Sequence, residues 1–140
     1  MIFVSACLIG ENCKYSGGNN RCDAVIAYLK GKEYLSVCPE VLGGLSTPRP
    51  PAEICGNKVI NKVGADVTEA FQKGAEMTLA MAKAKQPSLC ILKANSPSCG
   101  NQTVYDGTFS GKLVAGKGLT AKLLSDAGFK ILNENDFVSF

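Results

Sequence analysis

Four short apolar runs, at residues 2–5, 34–37, 89–92 and 129–132, are separated along this chain by stretches with helical spacing. Runs of that length read as buried strands. Their alternation with helices predicts βαβ units, in which a mostly parallel sheet is covered by helices. The first helix is expected over 23–29. A long one is expected over 68–85, where Phe71, Ala75, Leu79 and Ala82 recur every three to four residues. Asp66 is its expected N-cap, with Glu69 as capping-box partner, and a last helix over 118–127 is stopped by Gly128. Two segments break the alternation. Residues 41–64 carry Gly43-Gly44, Thr47-Pro48-Arg49-Pro50-Pro51 and Gly56-Asn57, and residues 94–116 are rich in Ser, Gly and Pro. The first reads as an excursion over one face that includes a strand at 58–63, half of a small hairpin. Both are long enough to be functional loops. The whole of residues 1–140 reads as a single domain.

Seven cysteines and no histidine limit the chemistry. An odd count excludes a complete disulfide framework and favours a reducing compartment, where cysteines serve as metal ligands, nucleophiles or small buried hydrophobes. The lack of histidine removes the commonest general base, the Cys/His catalytic pair and every His-ligated metal site. A metal here must be held mainly by thiolates, which favours iron–sulfur or zinc. Charged residues make up 19% of the chain and the net charge is +3, so no nucleic-acid polymer or membrane partner is expected. The start, Met-Ile-Phe-Val-Ser-Ala-Cys, has no basic leader, and its apolar run is far short of the ~20 residues of a bilayer span. A cytoplasmic location is expected.

The positions of the cysteines carry more than their number. Cys7 follows the first expected strand, Cys38 ends the second and Cys99 lies shortly after the third. In an open parallel sheet the carboxyl ends form one edge, and ligands bind in the crevice there. Three distant thiols can therefore meet. Cys90 lies inside an apolar run and reads as core, and Cys22 and Cys55 read as incidental. Cys13, six residues after Cys7, is the competing ligand. Four thiolates would saturate a site, whereas three leave a metal position open to substrate.

Several motifs, taken in order, resemble the thiouracil desulfidase (TudS-like) family. They are Ser5-Ala6-Cys7-Leu8-Ile9-Gly10, Cys38-Pro39-Glu40-Val41-Leu42-Gly43-Gly44-Leu45, Thr47-Pro48-Arg49-Pro50-Pro51-Ala52-Glu53, Gly64-Ala65-Asp66-Val67-Thr68, Ser96-Pro97-Ser98-Cys99-Gly100 and Tyr105-Asp106-Gly107-Thr108-Phe109. The resemblance implies a Rossmann-like α/β fold and a 4Fe–4S cluster held by Cys7, Cys38 and Cys99. It also implies replacement of a thiocarbonyl sulfur by oxygen in a small thiolated nucleobase or nucleotide. Its acidic catalytic position matches Glu40, and its serine matches Ser96. Arg49, Lys93, Ser98 and Gly118 are the expected substrate contacts. Arg49 is flanked by prolines, Lys93 ends the third strand, and Gly118 opens the last helix, whose first amides would suit an anion.

Three rivals stand beside this reading. Gly111-Lys112-Leu113-Val114-Ala115-Gly116-Lys117 has Walker A spacing, but Gly118 replaces the magnesium-binding hydroxyl, which leaves phosphate binding at most. A noncatalytic module could hold zinc or a closed cluster on Cys7, Cys13, Cys38 and Cys99. A sulfur-transfer protein would use the same open iron in the other direction.

Overall fold

The computed structural model describes residues 1–137. Four strands form one parallel sheet: β1 (Ile2–Ser5), β2 (Tyr34–Val37), β5 (Leu89–Leu92) and β8 (Ile131–Asn133), in the spatial order β2-β1-β5-β8. The chain goes from β1 outward to β2, then crosses back over β1 to β5. The switch in direction lies between β1 and β5, where open α/β sheets bind ligands. Helix α1 (Asp23–Leu29) covers one face, and α3 (Thr68–Lys85) and α4 (Leu119–Asp126) pack together on the other. Strand alternation divides the core in two. Ile2, Val4, Leu89 and Ile91 point to the α1 side, and Phe3, Cys90 and Leu92 to the α3–α4 side. Because both faces are covered, β1 and β5 are buried at every residue, which is why they read as unbroken apolar runs.

Between β2 and α3 come a one-turn helix α2 (Pro39–Leu42) and an antiparallel hairpin of β3 (Ala52–Cys55) and β4 (Lys58–Asn61). A second antiparallel hairpin, β6 (Thr103–Tyr105) with β7 (Leu113–Ala115), precedes α4. The expected excursions thus carry their own structure. The middle of the Walker-like run is strand β7 itself, with only Gly116, Lys117 and Gly118 between that strand and the next helix, so it forms no phosphate loop.

Several element ends differ from expectation, β4 stopping at Asn61 and α4 spanning Leu119–Asp126 among them, and two of the differences have a visible cause. Asp66 accepts the Thr68 N–H at 2.9 Å, but Val67 holds the cap position, so Asp66 acts from one residue further out and no capping box forms with Glu69. The last strand begins at Ile131 rather than at 129. Gly128 takes a left-handed φ of 92°, and the Phe129 N–H closes α4 by bonding the Leu124 carbonyl at 3.1 Å. Phe129 thus belongs to the helix ending.

One contact sets the position of α2. Gly43, which caps it, and Gly74, inside α3, meet backbone to backbone. A Cβ at Gly74 would lie 1.9 Å from the Pro39 carbonyl oxygen, and one at Gly43 would lie 2.0 Å from that of Ala70. Gly74→Ala therefore gives opposite answers in two accounts. Helix propensity alone predicts a gain of about 1 kcal/mol, whereas overpacking costs about 1–3 kcal/mol and displaces the turn that carries Cys38. The contact should win, with a lower midpoint in denaturant melts and reduced iron loading. A stabilised variant would show that α2 can move freely.

Candidate iron–sulfur site

The carboxyl edge of the sheet opens into a cavity of about 480 Å³ whose wall includes Cys7, Cys38, Cys99 and also Cys13. Each thiol arrives by a different local rule. Cys7 lies in a 3₁₀ turn (Ala6–Ile9) that begins as β1 ends. Cys38 precedes Pro39, which disfavours helical backbone at Cys38 but suits the first position of α2, so strand passes to helix within one residue. Cys99 sits in a tight turn where the Ser96 hydroxyl oxygen accepts the N–H groups of Ser98 at 3.1 Å and Cys99 at 3.0 Å. Cys13 comes from the loop that curls back over β1, tied down by Asn20 N–H to the Cys7 carbonyl at 2.9 Å and Cys22 N–H to that of Leu8 at 2.8 Å.

The electrostatics separate these thiols. The Cys38 thiol donates to the Cys13 carbonyl at 3.8 Å, and the Cys13 side chain is the leading influence on both Cys7 and Cys38. Sharing its proton lowers the Cys7 pKa and takes Cys38 down to about 6, while its own is pushed up. Asn20 and Lys93 also favour the Cys7 thiolate. Burial pushes Cys99 up to about 12, against a hydrogen bond from Ser5. Among the described residues, no three thiol or carboxylate side chains converge as ligands around one ion. The donors instead come from separate loops around one cavity. A thiolate-only set of this kind fits an iron–sulfur cluster, which Cys7, Cys38 and Cys99 would hold.

Glu40 follows Cys38 by two residues and lies close enough to Cys38 and Cys99 to act on both electrostatically. Burial raises its pKa, and Arg49 opposes the rise. The Arg49 Nε meets Glu40 Oε1 at 3.2 Å, with the arginine side chain only 5% exposed. Its Nη1 donates to the Ser46 carbonyl and Thr47 hydroxyl, both at 3.1 Å, and Nη2 to the Cys13 carbonyl at 2.9 Å. Arg49 thus lines the cavity as expected, and all but one of its N–H donors tie the Cys13 loop, Ser46 and Thr47 to Glu40.

The other expected contacts divide. Lys93 and Ser96 line the cavity, and the Lys93 Nζ pairs with Glu134 Oε2 at 2.7 Å. Ser98 and Gly118 do not line it. Ser98 is 1% exposed, with its hydroxyl 2.9 Å from that of Thr120. At the start of α4, the Gly118 N–H bonds the Gly100 carbonyl at 2.8 Å, Leu119 bonds Pro97 at 3.0 Å, and Thr120 and Ala121 bond Ser98 at 2.9 and 3.1 Å. The helix start that was expected to hold an anion holds the Cys99 turn instead. Glu53, Phe109 and Tyr105 also line the cavity. They lay inside the quoted motifs, with no signal to separate them from turn and strand residues.

A family model for 2-thiouracil desulfurase matches residues 2–136. The chain belongs to this family. It is 45% identical, over 97% of both chains, to the uncharacterized protein YbbK of Bacillus subtilis (strain 168). It superposes with a TM-score of 0.89 and 41% identity on the [4Fe-4S]-dependent thiouracil desulfidase TudS, covering 96% of this chain and 91% of that one. Among the described residues, no helix is long and apolar enough to cross a membrane.

Removing Arg49 should leave Glu40 buried without a partner and free the Cys13 loop. Breaking such a pair costs roughly 3–5 kcal/mol, so Arg49→Ala should lose stability on that scale in urea titrations. A loss under about 1 kcal/mol would mark the pair as a surface-like contact.

Proposed function

We propose that this protein is a desulfidase that converts C=S to C=O in thiouracil or a thiouridine nucleotide, using a 4Fe–4S cluster held by Cys7, Cys38 and Cys99. The observation that carries the reading is that three strand-end thiols and the Glu40 carboxylate line one cavity that contains no histidine. When bound, the cluster supplies a thiophilic, Lewis-acidic iron with one position free of protein thiolate, which suits it to polarise a thiocarbonyl.

The chain's own residues supply the rest. The Glu40 carboxylate takes a proton from the attacking water and returns it as sulfide departs, a role that suits a carboxyl whose pKa burial has raised. Arg49 holds that carboxylate in place. The Ser96 oxygen is committed to the Cys99 turn, so the part left to it is to donate its own proton to water or ligand. Overall, water is consumed and hydrogen sulfide released, with no change in oxidation state. Lys14 and Lys62 line the cavity and have no acidic partner among the described residues, which favours a substrate carrying a phosphate. In this reading residues 1–140 form one iron–sulfur domain, and Cys13 is a hydrogen-bond donor to the ligands rather than a ligand.

Anaerobic reconstitution followed by assay of sulfide from 2-thiouracil, 4-thiouracil and 4-thiouridine monophosphate tests this directly. Release from at least one is expected; colourless, zinc-loaded protein with no release would sink it. Serine at position 7, 38 or 99 should abolish iron loading, and Cys13→Ser should keep it. Glu40→Gln should keep the cluster and lose about 10²- to 10⁴-fold in rate. Full activity in Glu40→Gln would assign the proton to another group.

A further inference from the structure

The turn joining β6 to β7, residues 106–112, folds against β3 and brings Phe109 to the cavity wall. Glu53, 8% exposed, accepts with Oε1 both the Gly107 N–H at 2.9 Å and the Phe109 N–H at 3.2 Å. The Cys55 thiol donates to the Gly107 carbonyl at 3.5 Å, and a Cβ at Gly107 would lie 2.7 Å from the Ile54 carbonyl oxygen. The loop is thus pinned to β3 with no space between them. Phe109 itself has φ of 56°, a conformation that bulky L-residues rarely adopt. Its ring joins neither core cluster and stays half-buried beside the cavity. A strained backbone held by a buried carboxylate, with no core packing to explain it, points to a role at the site.

We propose that Phe109 is a specificity residue that packs on the face of a planar heteroaromatic ring, and that Glu53 is the positioning residue that holds it there. This rests on the desulfidase reading and narrows its substrate class to unsaturated thiolated rings. Aromatic packing on a base is sequence-tolerant, since it needs only a flat π-face. The ring selects flatness, and the iron selects sulfur.

The test uses the reconstituted protein, with inhibition constants for uracil and for non-planar 5,6-dihydrouracil measured against thiouracil turnover, or as dissociation constants by calorimetry if turnover is absent. Wild type should prefer uracil by roughly tenfold, and Phe109→Ala should raise the uracil constant and KM by about that factor, erase the preference and leave kcat within about twofold. Glu53→Ala should copy Phe109→Ala. Glu53→Gln, whose amide oxygen still accepts both N–H groups, should restore the preference, which a merely structural role would not track. An unchanged preference in iron-loaded Phe109→Ala overturns the proposal, whether or not Glu53→Ala folds. Protein that binds uracil through Phe109 but releases no sulfide sinks the desulfidase reading alone, and protein that releases sulfide from thiouracil with no dependence of KM on Phe109 sinks this proposal alone.

Discussion

All four strands of the central sheet run the same way, and the site depends on that constraint. Parallel pairing of β1 with both β2 and β5 puts the ends of three strands side by side. Groups far apart in sequence then meet at one edge without any element reaching for them. The remaining work is local and is done by backbone contacts. Gly43 against Gly74 seats the turn that presents Cys38 and Glu40, and the start of α4 grips the turn that presents Cys99. Neither contact tolerates a side chain, so the backbone of the turns that carry Cys38 and Cys99 is held at close quarters.

Charge is managed as closely as shape. Gathering several thiolates at one point is unfavourable, since each raises the pKa of the next. The protein offsets this with Cys13, which favours the thiolate of both Cys7 and Cys38, with Asn20 and Lys93 acting on Cys7, and with Ser5 on Cys99. Glu40 adds a carboxylate to the same crowded edge, and the almost fully buried Arg49 balances it while tying its loop to Cys13. Arg49 therefore fastens this edge, holding Glu40 and the Cys13 loop together. The cations left over, Lys14 and Lys62, come from different loops and are the ones available to an anionic ligand.

What could be read from the sequence follows from how local each signal is. The helices over 23–29 and 68–85 and the first three strands carry their own periodicity and stops, and the structure places them at those residues. The common edge of Cys7, Cys38 and Cys99 was legible because strand direction alone decides it. The β6–β7 hairpin was not, because its strands are three residues each and β7 is wholly exposed, leaving no apolar pattern. The fate of the α4 amides was hidden too, since only the fold shows that carbonyls of residues 97–100 fill them. Glu53 is the sharpest case. Its partners lie 54 and 56 residues away, and nothing near it in sequence announces them.

The central claim is that three thiolates hold the cluster and one iron is left for substrate. Mössbauer spectroscopy of the iron-57-reconstituted protein, recorded anaerobically with and without thiouracil, examines that iron directly. The account predicts one iron subsite distinct from the other three, whose parameters change on adding thiouracil and stay distinct in Cys13→Ser. Four equivalent all-thiolate sites, unmoved by thiouracil, would contradict it.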